Sequence, residues 1–230
     1  VTLTYDDDHK PADGSLQVEH FQKFIRRLRK KHGRKIRYYM CGEYGENEFR
    51  PHYHACLFGI DFTDKTLWRE RDGVRVYRSK TLERIWPYGF STVGTVTWQS
   101  AAYTARYVMK KVTGQNAEEH YMRADEHGEC YQLKPEYTSM SLKPGIGHSW
   151  FEAYESDVYP HDEVIVDGKR FKPPRYYDKL LERKNPQLLE ELKKEREAFH
   201  KLNPMEQAPW RLEAKEKCID ARFSRLHREI

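Results

Sequence analysis

The chain has 230 residues, 41 Lys and Arg against 36 Asp and Glu, a net charge of +5 and 38% hydrophobic residues. That length suits one sizeable domain with an appendage, and so small a basic excess does not establish nucleic-acid binding by itself. No apolar run is long enough for a membrane span, no signal peptide is visible, and the four cysteines (Cys41, Cys56, Cys130, Cys218) form no C-x-x-C pair, which predicts reduced thiols and argues against a structural zinc site.

Val1-Thr-Leu-Thr-Tyr5 alternates apolar and polar residues as a half-buried strand does. The chain thus opens inside a strand and without an initiator Met, which predicts truncation at its N-terminus. Asp6 to Gly14 is turn-forming. From Ser15 the period changes: Val18, Phe21, Ile25 and Leu28 form one helical stripe with Phe24 beside it, while Lys23, Arg26, Arg27, Arg29, Lys30 and Lys31 occupy the remainder until His32-Gly33. Arg26 and Lys30 on that basic surface are expected to meet DNA phosphates; a merely solvated helix face is the plainer alternative. Ile36–Glu43 and Pro51–Ile60 read as strands joined by a short Gly- and Glu-containing turn, and short turns join antiparallel neighbours. Asp61 to Arg84 reads as a polar loop with a helix at its end, and Phe90 to Thr97 as a Thr- and Val-rich strand. Ser100 is placed to cap a helix from Ala101 to about Val112. A Lys-Pro-Gly-Ile-Gly turn falls at 143–147. Beyond Pro160 the chain is charged and helical. This pattern divides the chain into two regions, residues 1–155 and 156–230.

Three local features carry chemistry. In His52-Tyr53-His54 the two imidazoles leave one side of a strand together, as chelation of one ion requires. In a hairpin of the two strands, one natural register sets Glu43 opposite His52 and Cys41 opposite His54, so a carboxylate joins two imidazoles. Glu46 and Glu48 in the turn are alternative ligands. This mixed oxygen and nitrogen set suits Mg²⁺ or Mn²⁺, and would accept Zn²⁺ or Co²⁺. The third feature is Ser100-Ala-Ala-Tyr103-Thr-Ala-Arg-Tyr107-Val-Met-Lys110-Lys111. On a helix Tyr103, Tyr107 and Lys110 share one stripe, and Ala101, Ala105, Val108 and Val112 share another that is expected to face the sheet or a neighbouring helix. A phenol, with a pKa of about 10, needs a nearby cation or metal to act as a nucleophile. Packing is the plain alternative for both tyrosines. Trp86, Tyr88, Phe90 and Trp98 are either base-stacking or core aromatics.

Together these features resemble the HUH endonucleases, in which H-x-H on a strand is followed by Y-x-x-x-Y-x-x-K on a helix. The stretches Val1–Tyr5, Gly42-Glu-Tyr-Gly45 to Arg50-Pro-His-Tyr-His54, Ser100-Ala-Ala-Tyr103 and Pro144-Gly-Ile-Gly147 resemble the rolling-circle initiators of gokushovirus-type microviruses. The resemblance implies an α+β fold with a central antiparallel sheet of about five strands, ferredoxin- or RRM-like, the histidines on a middle strand and helices covering one face. It implies His52, His54 and Glu43 as ligands of Mg²⁺ or Mn²⁺, and Tyr103 or Tyr107 as the nucleophile that leaves a 5′-phosphotyrosine and a free 3′-hydroxyl. Lys110 would position the phosphate or stabilise the leaving oxygen, and Arg106, Lys111, Trp98 and Lys143 would contact DNA. Origin DNA is the implied substrate, host helicase and polymerase are implied partners, and the cytoplasm of a bacterial host is the implied location. A non-catalytic DNA-binding protein, or a relaxase or transposase of the same chemistry, are the rival readings.

Overall fold

The computed structural model describes residues 1–33, 35–45, 49–71, 73–106, 111–124 and 128–224. They form two compact units, Val1–Ile146 and Gly147–Ile230, a division that falls ahead of the boundary at 155 read from the sequence. Among the described residues no helix is long and apolar enough to cross a membrane.

Unit 1 has the elements β1 (Thr2–Tyr5), α1 (Val18–His32), β2 (Arg37–Tyr44), β3 (Pro51–Phe58), β4 (Thr66–Arg71), β5 (Val74–Arg78), α2 (Lys80–Ile85), β6 (Gly89–Thr92), α3 (Trp98–Arg106), α4 (Ala117–Tyr121), β7 (Met122–Ala124), β8 (Cys130–Gln132) and β9 (Tyr137–Met140). The fold is α+β. Its five-stranded sheet runs β6-β1-β3-β2-β9, antiparallel throughout, so the His52/His54 strand is central. The β2–β3 ladder adopts the predicted register, Glu43 opposite His52 and Cys41 opposite His54.

Alternation divides the faces. Leu3, Tyr5, Met40, Tyr53 and Ala55 point to one side, where α1 covers them with Phe21, Phe24, Ile25 and Leu28 and the chain after α2 adds Trp86. Burial of these apolar surfaces is the main stabilising term. Val18, counted in the predicted stripe, is 44% exposed because it begins the helix beyond the sheet's cover. Gly33 ends α1 at φ 100, where its N–H donates to Arg29 O at 2.9 Å; only glycine takes that conformation without strain. The aromatic centre of this core is also hydrogen-bonded: Tyr5 and Tyr53 hydroxyls lie 2.9 Å apart, Gln17 N–H donates to Tyr53 at 2.8 Å, and Trp86 Nε1 donates to Thr4 O at 3.1 Å. Trp86 is therefore a core residue rather than a base-stacking one.

Three local expectations change. The polar stretch 61–84 contains a β4–β5 hairpin turning at Gly73; every residue of β4 is exposed, so no buried face marks it in the pattern. The strand expected over 90–97 stops at Thr92, with Val93 bridged to Tyr77. The reason is a cap: Thr97 and Ser100 exchange hydrogen bonds, Thr97 N–H to Ser100 Oγ at 2.8 Å and Ser100 N–H to Thr97 Oγ1 at 3.1 Å. This reciprocal arrangement starts α3 at Trp98, with Thr97 and not Ser100 as the cap. Third, helices do not cover one face alone, since α3 lies against β2 and β3 on the side opposite α1.

Unit 2 comprises α5 (His148–Val158), a β10 (Val164–Val166) and β11 (Lys169–Phe171) hairpin, α6 (Arg175–Lys184), α7 (Pro186–Leu202) and α8 (Pro209–Ser224). Phe151, Val158, Tyr159, Leu180, Leu181, Leu189 and Leu192 make its core. Asn185 caps α7 by accepting from Leu188 N–H at 3.1 Å. Arg196 of α7 donates to Asp162 and, at 2.9 Å, to Asp178, while Tyr159 donates to Asp178 at 2.6 Å.

Candidate active site

The face of the sheet turned away from α1 carries Thr2, Thr4, Glu43, His52 and His54. Register decides their contacts. Thr2 lies directly opposite His54 and Thr4 opposite His52. Each pair shares a hydrogen bond, Thr2 Oγ1 to His54 Nδ1 at 3.2 Å and Thr4 Oγ1 to His52 Nδ1 at 2.9 Å. Both imidazoles are thus held by Nδ1 from the neighbouring strand, the arrangement that orients ligating histidines. Glu43 is opposite His52 in the ladder, but its carboxylate reaches diagonally to His54, Oε1 to Nε2 at 2.8 Å. The exposures of 4% for Glu43 and 7% for His54 make this a buried pair, where a carboxylate needs such a partner. His52 is half-buried, its ring centroid 6.5 Å from that of His54. As they stand, among the described residues, no three His, Cys, Asp or Glu side chains are gathered closely enough to hold an ion. Glu46 and Glu48 lie outside the described residues.

Helix α3 brings Tyr103 to the same place. Its ring centroid is 6.3 Å from that of His54, with the planes at 89°, an edge-to-face contact. Arg106, one turn on, lies 5.6 Å over the Tyr103 ring. The expected small apolar stripe is not the face that packs: Ala105 is exposed, Thr104 is buried with its hydroxyl donating to Ser100 O at 3.0 Å, and Tyr103 is half-buried against the imidazole. An aromatic ring has more surface to bury on the histidines than an alanine methyl, so the tyrosine side wins. Tyr107 and Lys110, as well as Val108, lie outside the described residues. Past them Val112 N–H donates to Tyr121 Oη at 3.0 Å, and Tyr121 donates to the buried Glu136, which ties this part of the chain to the sheet region.

The structure separates the remaining site residues. Trp98 is 60% exposed in the first turn of α3, and Lys111 is exposed beyond it. Lys143 is exposed in the loop after β9. Arg26 and Lys30 are exposed on α1, which covers the opposite face. Two participants are absent from the candidates read in the sequence. Thr2-x-Thr4 repeats the period of His52-x-His54, a signal that becomes legible only once β1 is known to pair with β3. Gly45 is the other: a Cβ there would stand 2.9 Å from His52 Nε2.

Comparison with known proteins agrees with this layout. Residues 1–112 match the family model of the replication-associated protein ORF2. The chain is 37% identical over 197 residues to the replication-associated protein ORF2 of Spiroplasma virus 4, which covers 80% of the chain and 57% of that relative. It is 33% identical to the replication-associated protein VP4 of Bdellovibrio phage phiMH2K, over 81% of the chain and 58% of the relative, and 30% identical to the replication-associated protein ORF4 of Chlamydia phage 1, over 79% and 45%. The chain therefore spans about half the length of the curated relatives it matches. No solved structure matches it. Through residues 1–112, which contain β1, the His52/His54 strand and the Tyr103 helix, the chain belongs to the replication-associated protein ORF2 family.

Proposed function

We propose that unit 1 is a divalent-metal-dependent, tyrosine-nucleophile endonuclease that nicks and rejoins DNA at a phage replication origin, acting in the cytoplasm of a bacterial host. The relatives' printed names as phage replication-associated proteins support the replication role. The observation that carries the chemistry is the contact of the Tyr103 ring with His54, on the face that also holds Glu43 and His52.

The residues fit an ion of the Mg²⁺ or Mn²⁺ class. Glu43 offers oxygen, His52 and His54 offer nitrogen, and both Nδ1 atoms are already engaged by threonine hydroxyls. Ligation uses the lone pair of Nε2, so the His54–Glu43 hydrogen bond gives way and Thr2 accepts from His54 Nδ1–H. When bound, such an ion supplies positive charge at a non-bridging oxygen of the scissile phosphate. The Tyr103 phenolic oxygen attacks phosphorus, loses its proton to solvent and forms a P–O bond as the P–O3′ bond breaks. The products are a 5′-phosphotyrosine and a 3′-oxygen that takes up a proton. Arg106 braces the Tyr103 ring and places positive charge beside the phosphate. Tyr107, four residues on, would serve the second cleavage that ends a round, with Lys110 assisting the leaving oxygen. The 3′-hydroxyl primes synthesis by host polymerase behind a host helicase.

The test is denaturing electrophoresis and mass spectrometry of the protein incubated with Mn²⁺ and a single-stranded origin oligonucleotide. A covalent adduct on Tyr103 or Tyr107, lost in the Tyr103→Phe/Tyr107→Phe variant, is expected. Absence of any adduct from the unaltered protein, as a non-catalytic DNA-binding protein would give, overturns the proposal.

A further inference from the structure

The other side of unit 1 carries a charged feature that the nicking chemistry does not use. Arg26, Arg29 and Lys30 stand at i, i+3 and i+4 on α1, and together with Arg37 at the start of β2 they line an open concavity of about 500 Å³. Arg29 is fixed there: its Nη2 donates to Ile36 O at 3.0 Å, and its guanidinium lies 5.7 Å from the Tyr38 ring centroid. Arg26 and Lys30 are exposed and Arg37 is half-buried. Among the described residues the ion pairing of α1 is Lys23 with Glu19, away from this cluster. Cations in the last turn complement the helix dipole, which accounts for Arg29 and Lys30. It does not account for Arg26, which repels Lys30 one turn on, or for Arg37 on another element. Four cations converging on one hollow are stabilised by a ligand with several negative charges along its length.

We propose that this concavity binds backbone phosphates of DNA at a second site, separate from the nicking centre. Arg37 precedes Glu43 on the same strand by six residues, which at about 3.3 Å per residue is ~20 Å. A DNA strand covers that span in roughly six nucleotides at about 3.4 Å each. The cleft therefore holds DNA flanking the cleaved phosphodiester, and carries no sequence preference, since phosphates present none. This rests on the reading that the chain acts on DNA, but not on metal or tyrosine chemistry.

The experiment measures binding of the full chain to a labelled random-sequence duplex in EDTA, by fluorescence anisotropy over a salt series. Each phosphate contact contributes about 0.9 to the slope of log K against log salt, so Arg26→Gln/Lys30→Gln should flatten the slope by about 1.8. Lys10→Gln/Lys80→Gln removes the same charge from exposed positions elsewhere in the unit and should leave the slope near the unaltered value. Glutamine is a good helix former, and unchanged thermal melting of each variant verifies the fold. An unaltered slope in Arg26→Gln/Lys30→Gln, or an equal loss in the control, overturns the proposal. So does a result in which inorganic phosphate raises the melting temperature only when Arg26 and Lys30 are present while the DNA slope is unchanged, because the cleft then serves a small anion. A flattened slope without any covalent adduct in the nicking assay would sink the nuclease reading and leave this one standing.

Discussion

Substituting Gly45 by alanine separates the site from the stability of the fold. Gly45 follows β2, its N–H donates to Arg50 O at 3.0 Å, and its backbone lies outside the positive-φ residues, so alanine meets no conformational strain. The added Cβ would instead stand 2.9 Å from His52 Nε2, against the 3.4 Å at which ordinary contact begins, so the imidazole must retreat by about half an ångström. Its tether to Thr4 Oγ1 at 2.9 Å stretches in consequence. Reduced freedom of the unfolded chain favours alanine by about 0.4–1 kcal/mol, and weakening the Thr4–His52 bond costs about 0.5–1.5 kcal/mol, so melting should move by a few degrees at most. Function is less forgiving. If a misplacement of about 1 Å costs roughly a hundredfold, half of it costs roughly tenfold in kcat/KM. The assay is single-turnover nicking of an origin oligonucleotide at saturating Mn²⁺, beside a thermal melt and a calorimetric Mn²⁺ titration. Wild-type nicking and wild-type Mn²⁺ affinity in Gly45→Ala would refute the reasoning, because the His52 ring would then be shown to work equally well from a displaced position.

Thr2→Val and Thr4→Val remove the hydroxyls behind the histidines while keeping shape; each should weaken Mn²⁺ binding by about 10- to 100-fold in calorimetry, with the serine variants close to wild type. Equal affinities across the set would remove the threonines from the site. Burial pushes the Tyr44, Tyr53 and Tyr121 phenols up to about 12. A raised acid constant means that the folded state holds the proton more tightly; this stability is complete below the unfolded value of about 10 and is lost as pH climbs through 12. Urea midpoints should therefore fall steeply across that window, and less steeply in Tyr53→Phe. A flat profile would contradict the burial argument. In unit 2, hydrogen bonds from Arg196 hold the Asp178 carboxyl below the usual range, and at Asp162 the hydrogen bonds from Arg196 and Lys172 outweigh the opposing effect of burial. Arg196→Leu leaves both carboxylates under-paired and should cost about 2 kcal/mol in urea unfolding, below the figure for fully buried pairs because Arg196 is a quarter exposed. A loss under about 0.5 kcal/mol would show that the network is ornamental to stability.

The sequence by itself determined the features that short-range periodicity encodes. The stripe Phe21, Ile25, Leu28 could only be a helix face, and the period of two in His52-Tyr53-His54 puts two imidazoles on one side of a strand. The short link from Glu43 to Pro51 set the hairpin register, because a tight turn leaves few ways to pair two strands. Tertiary structure alone decided the contacts made across long stretches of chain. That Thr2 and Thr4 stand behind His54 and His52 depends on β1 entering beside β3, a pairing that no local pattern states. That Tyr103 faces the sheet and Ala105 faces solvent reverses what hydrophobicity along α3 suggests. The surface the helix meets there is a pair of imidazoles, and a helix turns toward the neighbour it packs best against, which its own sequence does not name.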